Sequence, residues 1–323
     1  MLEDKAIQSR VNAINRQIAL IHDTKSKSIR SIFENIPLTS GKRLRGLLVL
    51  LTAEACGARV NTGLLNIAAS LEILHHATLI HDDIVDGAGY RRGNTALNKK
   101  IGETLSVLTG DYLFSGAMEA MLKNRDFGLL GIFAGAVKDV CEGEIEEVFY
   151  KHNAGLSSHE CLEIIRKKTA SLIKASVKSG AHAAGCPGSD LKHLEVYGEH
   201  LGMAFQIKDD LLDITSKTSK IGKSAGTDIR EGKATLPLIL AMKCAPKNEC
   251  SRIKKLFEKN TDGKNTKKII DFIFKYDGTE LAGLMALSYS GDAKAALDKT
   301  KLKNAVVKEV LSDLADYVIE REY

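Results

Sequence analysis

Leu74-His75-His76-Ala77-Thr78-Leu79-Ile80-His81-Asp82-Asp83-Ile84-Val85-Asp86 closes a segment, residues 64 to 86, that is apolar on almost every face until its last turn. A helix that is apolar all round belongs in the middle of a large bundle. Three aspartates at its end contradict that placement, because burying an uncompensated carboxylate is expensive. The same contradiction recurs downstream, where residues 195 to 214 run apolar into Lys208-Asp209-Asp210-Leu211-Leu212-Asp213. Both clusters read D-D-x-x-D. Positions i and i+4 share a helix face, and i+1 lies three residues from i+4 on nearly the same face. The spacing therefore predicts three carboxylates gathered on one side of each helix end.

Like charges at that spacing repel, and more strongly when half-buried, unless a cation neutralises them. The donors are oxygens only, with no cysteine among them and no histidine at zinc-like spacing. Hard oxygen donors suit magnesium, which keeps several waters and binds one or two carboxylates together with substrate phosphate. Diphosphate binding through bridging magnesium ions is the chemistry this pattern supports. A solvated helix end is the bland explanation for one such cluster. Two copies on two apolar helices disfavour it, and the two are expected to converge on opposite lips of a shared cavity.

Basic residues accompany the clusters. Arg91-Arg92 follow the first after Gly87 and Gly89, which are expected to end the helix. Lys223 and Lys233 follow the second, Gly41-Lys42-Arg43-Leu44-Arg45 lies upstream, and Lys168-Thr169 sits mid-chain. Arginine offers phosphate a planar fork and lysine a point charge.

The remaining sequence fits a single all-α domain over residues 1–323, a bundle of long helices. Hydrophobic residues make up 44% and prolines number four in 323 residues, so long stretches run without a helix breaker. Residues 3 to 34 are amphipathic, with Ile7, Val11, Ile14, Ile18 and Ile21 at spacings of three and four. Residues 43 to 57 are small and apolar, and 247 to 323 read as lysine-rich amphipathic helices. The net charge of +5 is mild. The pairs Lys254-Lys255 and Lys267-Lys268 lack the aromatic platform of a nucleic-acid stripe, and no nucleic-acid partner is expected. Six cysteines without C-x-x-C spacing read as buried free thiols of a reducing compartment. No apolar run is read as approaching the ~20 residues of a membrane span, and Glu3, Asp4 and Lys5 do not resemble a secretory leader. A cytoplasmic location is expected.

With these residues in place, the chain resembles the trans-prenyltransferases, the polyprenyl diphosphate synthases. The resemblance runs from about residue 38 to 240. It is carried by G-K-R-L-R at 41–45, L-H-H-A-T-L-I-H-D-D-I-V-D at 74–86, R-R-G at 91–93 and G-D-Y-L at 110–113. It continues through K-T-A at 168–170, F-Q-I-K-D-D-L-L-D at 205–213 and G-K-A-T-L-P at 232–237. It implies antiparallel helices around a deep central cavity, usually in a homodimer. It also implies an enzyme that joins isopentenyl diphosphate to an allylic diphosphate using magnesium, three ions per active site. By the same resemblance, Asp82, Asp83 and Asp86 hold magnesium against the allylic diphosphate, and Asp209, Asp210 and Asp213 hold it on the other side. Arg91, Lys168, Thr169, Gln206, Lys223 and Lys233 contact that diphosphate. Lys42, Arg45, His75 and Arg92 take the isopentenyl diphosphate. Lys168 and Asp209 join the first cluster as catalytic residues. His76 is read as a packing residue. Arg321 is a candidate to close over isopentenyl diphosphate, although a tail arginine is usually just solvated. The chain departs from the family pattern at Gly46, often proline, and at Ser40, often glycine.

Product length is read from the positions before the first cluster. Ala77 and Thr78, the fifth and fourth residues before Asp82, are small, whereas an aromatic at the fifth position commonly closes the family's tunnel at C15 or C20. Leu74 and Ile73 are bulky, but Ser70, Ala69 and Ala68 are again small. Residue 70 lies roughly 18 Å along the helix from Asp82. The expected product is longer than C20, between C25 and C40, with Phe114, Met118 or Met121 as other candidates for the tunnel floor. The alternatives carried forward are a geranylgeranyl diphosphate synthase and the catalytic subunit of a heteromeric enzyme. A terpene cyclase is disfavoured because the D-D-x-x-D motif occurs twice.

Overall fold

The structure is a computed structural model and describes residues 4–36, 38, 41–91, 94–215, 225–259 and 263–321. It is helical almost throughout. Among the described residues the strands are confined to one two-residue pair, β1 (Tyr90–Arg91) and β2 (Asn94–Thr95), in antiparallel register. The chain divides into two compact units. The first comprises residues 1–135, 175–195 and 299–313, and the second residues 136–174, 196–298 and 314–323.

The first unit opens with α1 (Lys5–Ile21), capped by the Asp4 carboxylate accepting from Ala6 N at 2.7 Å. Its buried face is Ile7, Val11, Ile14 and Ile18, the stripe expected from sequence. The single segment read over 3–34 is broken at His22, and α2 (Lys27–Phe33) restarts after it. Ser26 supplies the break: its hydroxyl accepts from Ile29 N and so caps a new helix. There follow α3 (Leu44–Ala55), α4 (Thr62–Val85), α5 (Leu97–Ile101) and α6 (Glu103–Leu122). Asn61 caps α4, and Gly87, at φ +63°, lies just beyond its last residue. α4 packs against α1, α3 and α6. It is buried from Leu71 to Leu74 on consecutive positions, as a helix with no polar face must be. By length and composition this helix could cross a membrane, yet 67% of its most apolar window is buried inside the folded chain.

The second unit contains most of α7 (Phe127–Phe149) and α8 (Ser158–Ile165), which starts with a capping box between Ser157 and Glu160. A single π-helical turn, Arg166–Ala170, leads from α8 into α9 (Ser171–Ala183). The unit also holds the C-terminal part of α10 (Gly188–Thr215), then α11 (Thr227–Arg230), α12 (Leu236–Cys244), α13 (Lys247–Glu258), α14 (Gly263–Lys275), α15 (Gly278–Asp298) and the end of α16 (Ala305–Glu320). Pro237 stands in the first turn of α12, where its missing N–H costs nothing. Lys255, Lys267 and Lys268 are exposed on helix faces as expected. The cysteines are free thiols, but only Cys56 and Cys161 are buried, and Cys141 and Cys244 are exposed. The expectation of uniformly buried thiols is therefore corrected.

Candidate active site

Each acidic cluster sits at the C-terminal end of a long helix. α4 is buried over most of its length, whereas α10 carries half-buried Glu195 and Glu199, the latter paired with Lys174 at 2.7 Å, which corrects the reading of 195–214 as apolar on almost every face. The carboxylates of a cluster do not form one converging set. At the end of α4, Asp83 is buried, while Asp82 and Asp86 are half-buried. Asp83 lies about 100° around the helix from Asp82, so the two cannot share one direction. The Asp83 carboxylate pairs with Arg91 at 2.8 Å, and its backbone carbonyl accepts from Asn98 Nδ2 at 2.9 Å. Arg91, on β1, is thus brought to the first cluster. Arg92 lies outside the described residues. Gly110 on α6 allows the close approach beside this cluster. A Cβ there would stand 2.2 Å from His81 Nε2, the nitrogen that meets Val107 O at 3.2 Å.

Upstream in the same unit, Lys42 is exposed, Arg45 is buried at the start of α3, and His75 is half-buried on α4. His76 meets the Glu72 carbonyl at 2.7 Å through Nδ1, in keeping with the packing role expected for it. Sequence reasoning named Arg43 only within its basic stretch and passed over Glu72; the two form a buried pair at 3.5 Å. Ala77 is buried, as are Ser70, Ala69 and Ala68, and Thr78 donates to His75 O at 2.9 Å. Phe114 stacks on the buried Phe133 with ring centroids 6.2 Å apart. Met121 is buried and Met118 half-buried.

The second unit gathers more of the predicted set. Lys168, Thr169, Gln206, Asp210 and Lys233 line one cavity, together with Glu147, Asp228 and the apolar side chains Leu156, Ile164 and Ile165. The Thr169 hydroxyl donates to Gln206 Oε1 at 2.8 Å, and Gln206 Nε2 donates to Asp210 Oδ1 at 2.9 Å. Lys168 stands on the π turn, a distortion frequent at functional sites. Its ammonium is held by Glu144 at 2.5 Å and Glu147 at 2.6 Å. Lys233 shares Glu147 at 3.5 Å and meets Glu231 at 3.0 Å. Lys233 follows Gly232, whose φ of +79° and contact with the His152 ring, 2.4 Å from a would-be Cβ, exclude a side chain.

Asp209, Asp210 and Asp213 diverge in the same manner as the first cluster. Asp209 pairs with Arg321 at 2.8 Å, and that guanidinium also covers the Phe205 ring at 3.9 Å. Arg321 is thus packed onto α10 and not merely solvated. Asp213 accepts from the backbone N–H groups of Thr227 and Asp228, at 3.1 and 3.2 Å, and so anchors α11. Asp210 is buried. Its loss of solvation, with repulsion from Asp228, Asp209 and Glu147, holds its carboxyl well above the ordinary range. Burial and the nearby Asp213 push Asp228 up to about 7. Lys223 lies outside the described residues.

Among the described residues no three aspartate, glutamate, histidine or cysteine side chains converge to hold an ion on their own. The donors still fit magnesium. They are all oxygens, they repel one another where buried, and magnesium takes only one or two carboxylates before completing its shell with water and phosphate. A cation would relieve the repulsion around Asp210. Glu144, Glu147 and Asp228 were not found by sequence reasoning. The available signals were the i, i+3 spacing of the two glutamates facing Lys168 and the position of Asp228 between two glycine-rich basic stretches.

This is the all-α isoprenoid synthase fold, the class to which trans-prenyltransferases belong. The chain belongs to the polyprenyl synthetase family, whose model matches residues 26–273, and it is a trans-prenyltransferase. Over 307 residues it is 34% identical to a short chain isoprenyl diphosphate synthase of Methanothermobacter thermautotrophicus, covering 94% of this chain and 93% of that one. A polyprenyl synthase of Caulobacter crescentus, solved with calcium and isoprenyl diphosphate, superposes with a TM-score of 0.92 at 34% identity, covering 99% and 97% of the two chains. A decaprenyl diphosphate synthase of Rhodobacter capsulatus gives 0.90 at 33% identity, covering 99% and 98%.

Proposed function

We propose that this chain is a magnesium-dependent, chain-elongating prenyltransferase that adds isopentenyl diphosphate to an allylic diphosphate and releases a trans-polyprenyl diphosphate longer than C20. The observation that carries the reading is the convergence of Lys168, Thr169, Gln206, Asp210 and Lys233 on one cavity. Two ammoniums, two hydrogen-bonding side chains and a buried carboxylate make a site for a phosphate group bridged by a cation.

In the first unit, Asp82, Asp83 and Asp86 are assigned to magnesium, Arg91 to phosphate, and Lys42, Arg45 and His75 to isopentenyl diphosphate. In the second, Asp209, Asp210 and Asp213 are assigned to magnesium, and Lys168, Thr169, Gln206 and Lys233 to the allylic diphosphate. Asp213 anchors α11 through its backbone contacts, so its share in the metal site comes with that structural task. Bound magnesium would supply positive charge for the negative charge that grows on the departing diphosphate. The chain's own lysines do the same from fixed positions, which is electrostatic preorganisation. The allylic C–O bond breaks, the alkene of isopentenyl diphosphate forms the new carbon–carbon bond, and a proton leaves with the released diphosphate. Leu156, Ile164 and Ile165 keep water away from the cationic carbon.

The small side chains at 77, 70, 69 and 68 support a product of C25 to C40. Curated relatives and solved neighbours range from short chain to decaprenyl synthases, so relationship alone does not choose among lengths. A homodimer in the cytoplasm is the proposed form. The stripe Leu105, Leu108 and Tyr112 on α6, exposed in the single chain, supports a second copy covering it. The test is incubation of the purified chain with magnesium, isopentenyl diphosphate and farnesyl diphosphate, followed by chromatography of the dephosphorylated products. Products of C25 or longer are expected, and a sole C15 or C20 product would refute the length assignment.

A further inference from the structure

We propose that Arg43 and Glu72 are positioning residues for the isopentenyl diphosphate site, a buried clamp that fixes Lys42, Arg45 and His75 without touching substrate. The inference rests on the reading that those three residues bind that diphosphate.

Arg43 is the residue immediately before α3 and takes the left-handed conformation, φ 52° and ψ 41°. A non-glycine residue is held there only when its surroundings over-determine it, and such outliers gather at functional sites. Here the surroundings are specific. Arg43 Nε donates to Asn15 Oδ1 of α1 at 2.7 Å, and Nη2 donates to Leu38 O. Nη1 faces Glu72 Oε2 at 3.5 Å and His76 Nε2 at 3.4 Å, both on α4. The Arg43 and Glu72 side chains are 1% and 4% exposed. One arginine thus fastens Leu38 and the start of α3 to two other helices.

Glu72 completes the clamp from the other side. Its Oε1 accepts from Gly46 N at 2.9 Å. Gly46 is the third residue of α3, so its N–H has no partner within the helix. The Glu72 carboxylate therefore caps α3 from α4, in place of the side-chain cap that Arg43 does not provide. This use of the N–H gives a physical account of glycine at 46. Proline has no N–H to give, and a Cβ there would already stand 3.0 Å from Ile14 Cδ1 and 3.2 Å from Glu72 Cγ. Lys42 and Arg45 flank Arg43 in sequence, and His75 lies three residues beyond Glu72 on α4. Rotation of Arg43 or loss of Glu72 would move all three.

The experiment compares the intact enzyme with Glu72→Gln and Asn15→Ala under saturating allylic diphosphate. Glu72→Gln keeps the shape of residue 72 and removes its charge. Asn15→Ala cuts one tether of Arg43 from a half-buried position and keeps the test open if Glu72→Gln does not fold. The expected result is a tenfold or greater rise in KM for isopentenyl diphosphate in Glu72→Gln and threefold or more in Asn15→Ala. kcat and the KM for the allylic substrate should stay within about twofold of wild type. KM for isopentenyl diphosphate within twofold of wild type in folded variants overturns the proposal, as does a parallel loss of kcat and both substrates' affinity. Lys42→Ala separates the two levels. If it leaves KM for isopentenyl diphosphate unchanged, the site reading itself fails. If it raises KM while the clamp variants do not, only the clamp fails.

Discussion

Replacing Gly143 by alanine should damage catalysis through the backbone of a different element. Gly143 lies on α7 against the π turn, and a Cβ there would stand 2.5 Å from Lys168 N and 2.9 Å from Lys168 Cα. Comfortable non-bonded separations are about 3.5–4.0 Å, so the turn must retreat by roughly 1 Å. Gly202 on α10 leaves little room for that movement, because its own missing Cβ would already lie 2.5 Å from Ala170 Cα. Overpacking of this kind costs about 1–3 kcal/mol, and the better helix propensity of alanine returns up to about 1 kcal/mol. A net loss of about 1–2 kcal/mol in stability is expected. The catalytic effect should be larger in proportion, since a shift of about 1 Å in a positioned group can cost on the order of 10²-fold. The assay is kcat/KM for the allylic substrate alongside urea unfolding. Gly291→Ala is the control, on the exposed face of α15 with no atom within 4 Å of the added Cβ. It should gain up to about 1 kcal/mol and keep wild-type kinetics. If Gly143→Ala matched Gly291→Ala in both measurements, the close approach would not hold Lys168 in place.

Three further outcomes are expected. His22 is buried, and burial, aided by the nearby His76, lowers its pKa from 6.5 to about 4. The neutral ring is thus the form that fits the fold. Stability should be full above pH 6.5 and fall as pH drops toward 4, by at most about 3 kcal/mol; urea midpoints at pH 7 and pH 4.5 should show this loss, and His22→Phe should remove most of it. Ala77→Phe should shorten the product, read by chromatography after dephosphorylation, and an unaltered product distribution would refute the tunnel assignment. Chelation of divalent metal should abolish turnover and magnesium should restore it, as measured by incorporation of isopentenyl diphosphate, whereas turnover that persists in chelator would sink the assignment of the aspartates to metal.

Much of this molecule was legible in its sequence because two strong physical demands conflict there. Helices read as apolar all round, at 64–86 and 195–214, require a large helical core, and carboxylates at their ends require a cation or a partner. That conflict pointed to both helices, to Asp82, Asp83 and Asp86, and to Asp209, Asp210 and Asp213, although α10 begins at Gly188 and not at 195. Helical periodicity also located the buried stripe of α1. The sequence did not foresee how the carboxylates divide their work, since spacing fixes which helix face a residue occupies but not which neighbour meets it. The structure gives Asp83 to Arg91, Asp209 to Arg321, and Asp213 to the N–H groups of Thr227 and Asp228. The i, i+3 spacing of Glu144 and Glu147 puts them on one helix face, but only packing across distant segments could pair them with Lys168, or Glu72 with Gly46, because these contacts join residues 21 to 26 positions apart. Local chemistry set the helices and their charged ends; the partners of those charges were decided by side chains that come together only when the helices pack.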